Sequence, residues 1–156
     1  MKASRNELLF ATANESKSLT AYPDGNGIMT IGIGHTKDVK AGMRITNAQA
    51  MQFLAEDMAI AEAAVDTAVK NPLQQHEFDM LVDITFNAGP KFISDPEVQG
   101  AIASGNKNSV AGLFLHWALD NGVIQEGLLR RAAMRGRIYA QGYTSANLAW
   151  INKHKL

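Results

Sequence analysis

Between residues 19 and 45 the chain holds five glycines, one proline and the β-prone run Ile28-Met-Thr-Ile-Gly-Ile33, whereas the residues on both sides repeat their apolar positions at helical spacing. A helix cannot run through so many glycines, and a sheet cannot grow large in fewer than thirty residues. The chain is therefore expected to form one helix, a small sheet with tight turns, and then a long series of helices. This is an α+β arrangement, mostly helical, in which a cleft between two unequal lobes is the natural place for a substrate.

Local signals mark where the helices start and stop. Ser4-Arg-Asn-Glu7 is a capping box ahead of Leu8, Leu9 and Ala11, and the polar run from Thr12 to Ser18 ends that helix, which leaves Glu15 at or just past its C-terminus. Thr46-Asn-Ala-Gln49 is a second capping box, followed by Ala50, Phe53, Leu54, Met58, Ala61, Val65 and Ala68 on one face of the longest helix, about 24 residues. A further stripe, Leu73, Phe78, Leu81, Val82, Thr85 and Phe86, stops at Asn87-Ala-Gly89-Pro90. Asp95-Pro96-Glu97 supplies an N-cap, an N1 proline and a first-turn acid for a short helix that Gly105 closes. Helices are expected over 109–119 and 125–140, with a tail carrying Leu148, Trp150 and Ile151 that packs back on the body.

At 156 residues and 46% hydrophobic composition the chain is long enough for one core and short for two domains. With no cysteine there is neither a disulfide framework nor a thiolate metal site, so packing alone must hold the fold. No apolar stretch near Met1 is long enough for a signal-peptide core, and nowhere do roughly 18 apolar residues run together, so no membrane insertion is expected. The fifteen acidic and fifteen basic side chains cancel, but unevenly. From 123 to 156 the only acid is Glu126, against Arg130, Arg131, Arg135, Arg137, Lys153 and Lys155, a formal excess of five positive charges. That patch suits an anionic polymer, or equally a solvated helix face. Nucleic acid is not expected as a partner, because aromatics are few and no recognised nucleic-acid-binding motif is visible.

The chemistry-bearing stretch runs from Glu15 to Thr36. One carboxyl lies at a helix end and a second, Asp24, nine positions later in a glycine-rich turn, so two acids in different surroundings can face each other across a cleft. Glycosidic cleavage needs such a pair: one carboxyl protonates the leaving oxygen while the other, ionised, activates water or stabilises charge on the sugar. The negative end of a helix dipole disfavours ionisation of a semi-buried acid, which makes Glu15 the better donor and Asp24 the better base. Taken singly, each is an ordinary surface or turn acid. Competing motifs fail. His76-Glu77 lacks a second histidine because residue 80 is Met80, Asp24-Gly-Asn26-Gly breaks off as a calcium loop at Ile28, and Gly32-Ile-Gly34 has Lys37 where a dinucleotide fingerprint needs glycine.

Glu15, Asp24 and Thr30, leading into Thr30-Ile-Gly-Ile-Gly34-His35-Thr36, resemble the signature of the phage-type lysozymes, the endolysins of glycoside hydrolase family 24. The resemblance continues through Phe78-Asp-Met-Leu81-Val82, Phe86-Asn87-Ala-Gly89, the segment from Phe114 to Trp117, and Gly127-Leu128-Leu-Arg130-Arg131, and so covers nearly the whole chain. It implies a lysozyme-like two-lobed fold, with a small antiparallel β lobe at about 15–45 and a helical lobe of 1–14 plus 46–156, in a single catalytic domain spanning 1–156. It further implies a muramidase that cleaves the β-1,4 bond between N-acetylmuramic acid and N-acetylglucosamine in peptidoglycan by an inverting route. Glu15 would be the acid, Asp24 would act on a water held by Thr30, and neither cofactor nor metal would be needed. Phe92 would line the sugar cleft unless it belongs to the core, and His35 would be a structural histidine bonded to a carboxylate of the helical lobe. Such a protein is expected to be a monomer made in a bacterial cytoplasm and released onto the wall by a holin or a secretion machine.

Two positions depart from the family pattern. Ser16 stands where a glycine usually follows the catalytic glutamate, which would strain the backbone if φ there were positive, and its hydroxyl could bond the carboxyl. Met134 stands where many relatives carry glutamate. A catalytically weak module that keeps the fold to bind glycan or a protein partner is the alternative these departures leave open.

Overall fold

In the computed structural model, which describes residues 1–120 and 123–156, the long apolar stripe becomes helix α2, Asn47–Ala68, and this helix joins the two parts of the molecule. Thr46 accepts from the Gln49 N–H and Gln49 reaches back to the Thr46 N–H, so two of the N–H groups that lack helical partners are satisfied. Ala50 and Phe53 in its first turns pack on a small core with Ile31 and Ile45 under the sheet. Leu54, Met58, Ala61 and Val65 on the following turns enter the main core. One amphipathic helix therefore serves two cores in sequence.

Preceding α2 are α1, Arg5–Asn14, and a hairpin of β1, Ser18–Pro23, and β2, Met29–Gly32. The strands are antiparallel, with Tyr22 opposite Thr30, and a register irregularity lies between Ser18 and Tyr22. A bridge between Thr20 and Arg44, with the Ile45 N–H donating to the Leu19 carbonyl, ties residues 43–45 to the outer edge of β1. This small antiparallel sheet beside a helical body is the α+β, mostly helical class expected from the sequence.

Downstream of α2 come α3, Gln75–Ala88; α4, Lys91–Ser94; α5, Pro96–Ala103; α6, Lys107–His116; strands β3, Leu119–Asp120, and β4, Val123–Ile124; α7, Glu126–Gln141; and α8, Ser145–His154. The sequence pattern misses α4 and the two-residue hairpin β3–β4, and it carries the helix expected at 109–119 too far, since α6 stops at His116. The C-terminal tail is a helix: Thr144 and Asn147 form a capping box, and α8 packs against α1. Helix α3 is buried along most of its length and lies at the centre, touching α1, α2, α4 and α7. Among the described residues no helix is long and apolar enough to cross a membrane.

Helices α6 and α7 pack backbone to backbone at Gly136. A Cβ there would sit 2.9 Å from the Ala111 carbonyl oxygen, whereas at Gly112, on α6, a Cβ would meet nothing within 4 Å. Replacing glycine by alanine within a helix gains roughly 1 kcal/mol of propensity, but forcing a methyl against backbone costs about 1–3 kcal/mol. Gly136→Ala is therefore expected to lower the urea midpoint and Gly112→Ala to raise it. Midpoints that rise in both would show that the two helices separate without loss.

Candidate active site

Helix α1 begins at Ser4, whose hydroxyl accepts from the Glu7 N–H, and ends at Glu15, an extended C-cap residue with φ −109° and ψ 152°. The chain leaves the helix at Glu15 and turns into β1, which presents the side chain at the junction of helix and sheet. That side chain is 21% exposed, and its Oε1 accepts a hydrogen bond from Arg131 Nη1 on α7. The other oxygen, Oε2, faces Gly34. A Cβ on Gly34 would lie 3.7 Å from Oε2 and 3.7 Å from Phe86 Cζ, and the residue has φ +79°, so any side chain there would be strained and would fill the space in front of the carboxyl.

Asp24 caps the hairpin turn. Its Oδ1 accepts from the N–H groups of Asn26 (2.9 Å) and Ile28 (2.8 Å), and its own N–H donates to the Ile28 carbonyl. This is the side-chain-to-backbone turn that aspartate forms readily, and it fixes the carboxylate. Thr30, buried on β2, donates its hydroxyl to the Ile28 carbonyl at 3.0 Å. Glu15, Asp24 and Thr30 line one cleft of about 360 Å³ together with Tyr22, Gly34, Thr36, Phe86 and Asn87. Three residues dispersed over sixteen positions are thus brought to one cavity by a helix end, a turn and a strand.

His35 lies outside this cleft. It is buried, its Nδ1 is 2.8 Å from Asp57 Oδ2 on α2, and its ring stacks on Phe53 at 4.3 Å. It thereby ties the end of the sheet to the helix that serves both cores. Phe92 requires a correction: the cleft-lining position implied by the family resemblance does not hold, because the side chain is fully buried. It stacks on Phe114 at 5.1 Å and meets Trp117 edge-on at 5.6 Å. The aromatics at the cleft are Tyr22 and Phe86. The departure at Ser16 carries no backbone strain. Ser16 is exposed and Asp38 is the only non-glycine residue with positive φ among the described residues, while no hydrogen bond joins the Ser16 hydroxyl to Glu15. Met134 packs against the main core.

The C-terminal cluster of cations also differs from its appearance in the sequence. Arg131 and Arg135 are buried and turned inward onto Asp83 of α3, leaving Arg130, Arg137, Lys153 and Lys155 exposed. Arg131 donates to both Asp83 oxygens, from Nε at 3.1 Å and Nη2 at 2.6 Å, and Arg135 donates to Oδ2 from Nε at 2.8 Å and Nη2 at 2.5 Å. Burial pushes the Asp83 carboxyl up, but the two guanidiniums outweigh it and hold the group below the ordinary carboxylate value. Sequence reasoning missed Asp83. The available signal was an acid inside the apolar run Met80 to Thr85, where a buried charge must have a partner.

Glu7 is the contrasting group. It is fully buried, neither carboxyl oxygen has a hydrogen-bond partner, and burial followed by the charges of Asp83 and Asp79 pushes it well above the usual range. Burial therefore favours the protonated form of Glu7 in the folded chain. In the unfolded chain it ionises near its ordinary value of 4.5. Its contribution to stability is full below that value and is lost as pH rises toward the raised folded value, by roughly 1.4 kcal/mol per pH unit. Asp83 has the opposite sign, stabilising above its ordinary value of 3.8 and losing that contribution as pH falls below it. Glu7→Met is expected to raise the melting temperature more at pH 8 than at pH 5. An increment that is the same at both values would show that Glu7 carries no proton linkage.

A helix-end carboxyl facing a turn carboxyl across a cleft, between a small sheet and a helical body, defines a glycoside hydrolase fold of the lysozyme type. The sequence profile of the phage lysozyme family matches residues 12–135, and the chain belongs to that family. It is 34% identical over 122 residues to the endolysin of Salmonella phage P22, covering 75% of this chain and 84% of that protein. Among solved structures it is similar to the endolysin from Escherichia coli O157:H7 phage FAHEc1, with a TM-score of 0.83, 37% identity, and coverage of 92% of this chain and 96% of that one. It is also similar to the muramidase domain of SpmX from Asticaccaulis excentricus, with a TM-score of 0.80, 29% identity, and coverage of 88% and 97%.

Proposed function

We propose that this protein hydrolyses the glycan strands of bacterial peptidoglycan, cutting the β-1,4 bond between N-acetylmuramic acid and N-acetylglucosamine with inversion. The observation that carries the reading is the shared cleft of Glu15, Asp24 and Thr30. Family membership and similarity to endolysins and to a muramidase domain support the substrate class.

In this reading Glu15 is the general acid. Its Oε1 is engaged by Arg131, so Oε2, on the open side of Gly34, is the oxygen that carries the proton to the leaving group. Asp24 is the base: with Oδ1 held by two backbone N–H groups, Oδ2 takes the proton from a water attacking the opposite face of the sugar. The Thr30 hydroxyl donates to a backbone carbonyl and keeps its lone pairs for that water. Inversion requires the two carboxyls to stand about 6.5–9.5 Å apart, with the water between them. Tyr22 and Phe86 offer apolar faces to the sugar rings. In this reading the protein acts as a monomer on the wall, reached from a bacterial cytoplasm through a holin or a secretion machine.

The test is turbidity loss of purified peptidoglycan or permeabilised Gram-negative cells, with Glu15→Gln beside the wild type and circular dichroism on both. Folded Glu15→Gln is expected to lose at least about 10²- to 10⁴-fold of the rate, the usual worth of a positioned acid. Fresh product read by proton NMR should appear first as the α anomer. A β anomer would replace inversion with retention, and folded wild type inert on several walls would favour the binding-module reading.

A further inference from the structure

We infer that Asp83, which does not line the cleft, is the positioning residue that sets the charge felt by Glu15, acting through Arg131. The inference rests on the reading of Glu15 as the proton donor. Two guanidiniums and one carboxylate are closed together behind the site: Arg131 is shared between Asp83 and Glu15, while Arg135 is spent on Asp83 and reaches Asn87 Oδ1 at 3.4 Å, a residue that lines the cleft. An unshielded pair of arginines would hold Glu15 ionised and useless as an acid. Asp83 is 0% exposed, so no solvent weakens its attraction for the two cations. With Asp83 in place, the charges of Asp83, Arg131 and Arg135 leave a single net positive charge beside Glu15 instead of two, so Glu15 takes up a proton against one uncompensated guanidinium rather than two.

The charged and titratable groups around Glu15 come from every element packed there. Glu7 lies on its own helix, where burial favours its protonated form, Asp83 and Asp79 lie on α3, and Arg131 and Arg135 lie on α7. Asp24 and Tyr22 face it from the hairpin. Asp79 is occupied by Ser4, Gln75 and Tyr143, which leaves Asp83 as the counter-charge in direct contact with Arg131. A residue with a merely structural role would lower activity on substitution without moving any titration. A charge-setting residue predicts movements of opposite sign for the anion and for its second cation.

The experiment follows the Glu15 carboxyl directly by carbon-13 NMR across pH in the full-length protein, its resonance assigned by its loss in Glu15→Gln. Variants are made in a Glu7→Gln background, so that Glu7 cannot supply the missing charge. Asp83→Asn is expected to move the Glu15 midpoint down by about one pH unit, and Arg135→Met to move it up by a similar amount. The alkaline limb of the lysis rate should follow in both. Arg135→Met keeps the two-toothed contact of Arg131 with Asp83 and places an apolar side chain beside Phe114, so it remains decisive if Asp83→Asn fails to fold. Midpoints unchanged in the folded variants, or displaced in the same direction, overturn the inference. Because the titration reads the carboxyl and not the reaction, it stands or falls separately from the proposed activity.

Discussion

The Asp83 carboxylate, buried between the guanidiniums of Arg131 and Arg135, is the interaction on which the rest of the site depends. Burying three charges is costly, and a buried ion pair seldom adds net stability over apolar packing of the same volume. What it supplies here is position. Helix α7 can approach α3 in only one register that pairs both arginines with one aspartate, and in that register Arg131 also reaches Glu15 at the end of α1. Removing Asp83 would strand two cations in a low-dielectric interior.

The same economy governs how the sheet is held. A two-stranded hairpin is marginal alone in water, and this one is supported by the first turns of α2, whose Ala50 and Phe53 close the small core under Ile31 and Ile45. His35 then fastens the end of the sheet to the same helix through Asp57, with its ring on Phe53. Because α2 continues into the main core, the cleft carboxyls on the hairpin and at the end of α1 are fixed relative to one another through one helix.

Much of the fold was legible in the sequence because its signals are local. The N-cap at Ser4, the capping box at Thr46 and the stop at Gly89 lie within two residues of the observed helix ends, since each needs only a side chain and the neighbouring backbone; the return bond expected from Glu7 does not form, because the Ser4 N–H donates to Asp79 instead. Helix α4 and the hairpin β3–β4 were not legible: four-residue helices and two-residue strands are too short to show periodicity. The cleft residues were accessible through the spacing of Glu15, Asp24 and Thr30, which a helix end followed by a tight hairpin turns into proximity. Phe92 and the C-terminal arginines misled for one shared reason. Side-chain direction around a helix is set by what it packs against, and here those partners come from other helices.

By itself the sequence determined the order of elements, the small sheet set into a helical chain, and the two acids on either side of a cleft, because periodicity, capping and turn chemistry act over a few residues. Only the tertiary structure decided that Arg131 and Arg135 face inward, that Asp83 binds them across 48 and 52 residues of chain, and that the Glu7 carboxyl lies in the interior without a hydrogen-bond partner. Charge and burial depend on every element that closes over a side chain, and no local pattern records which elements those will be.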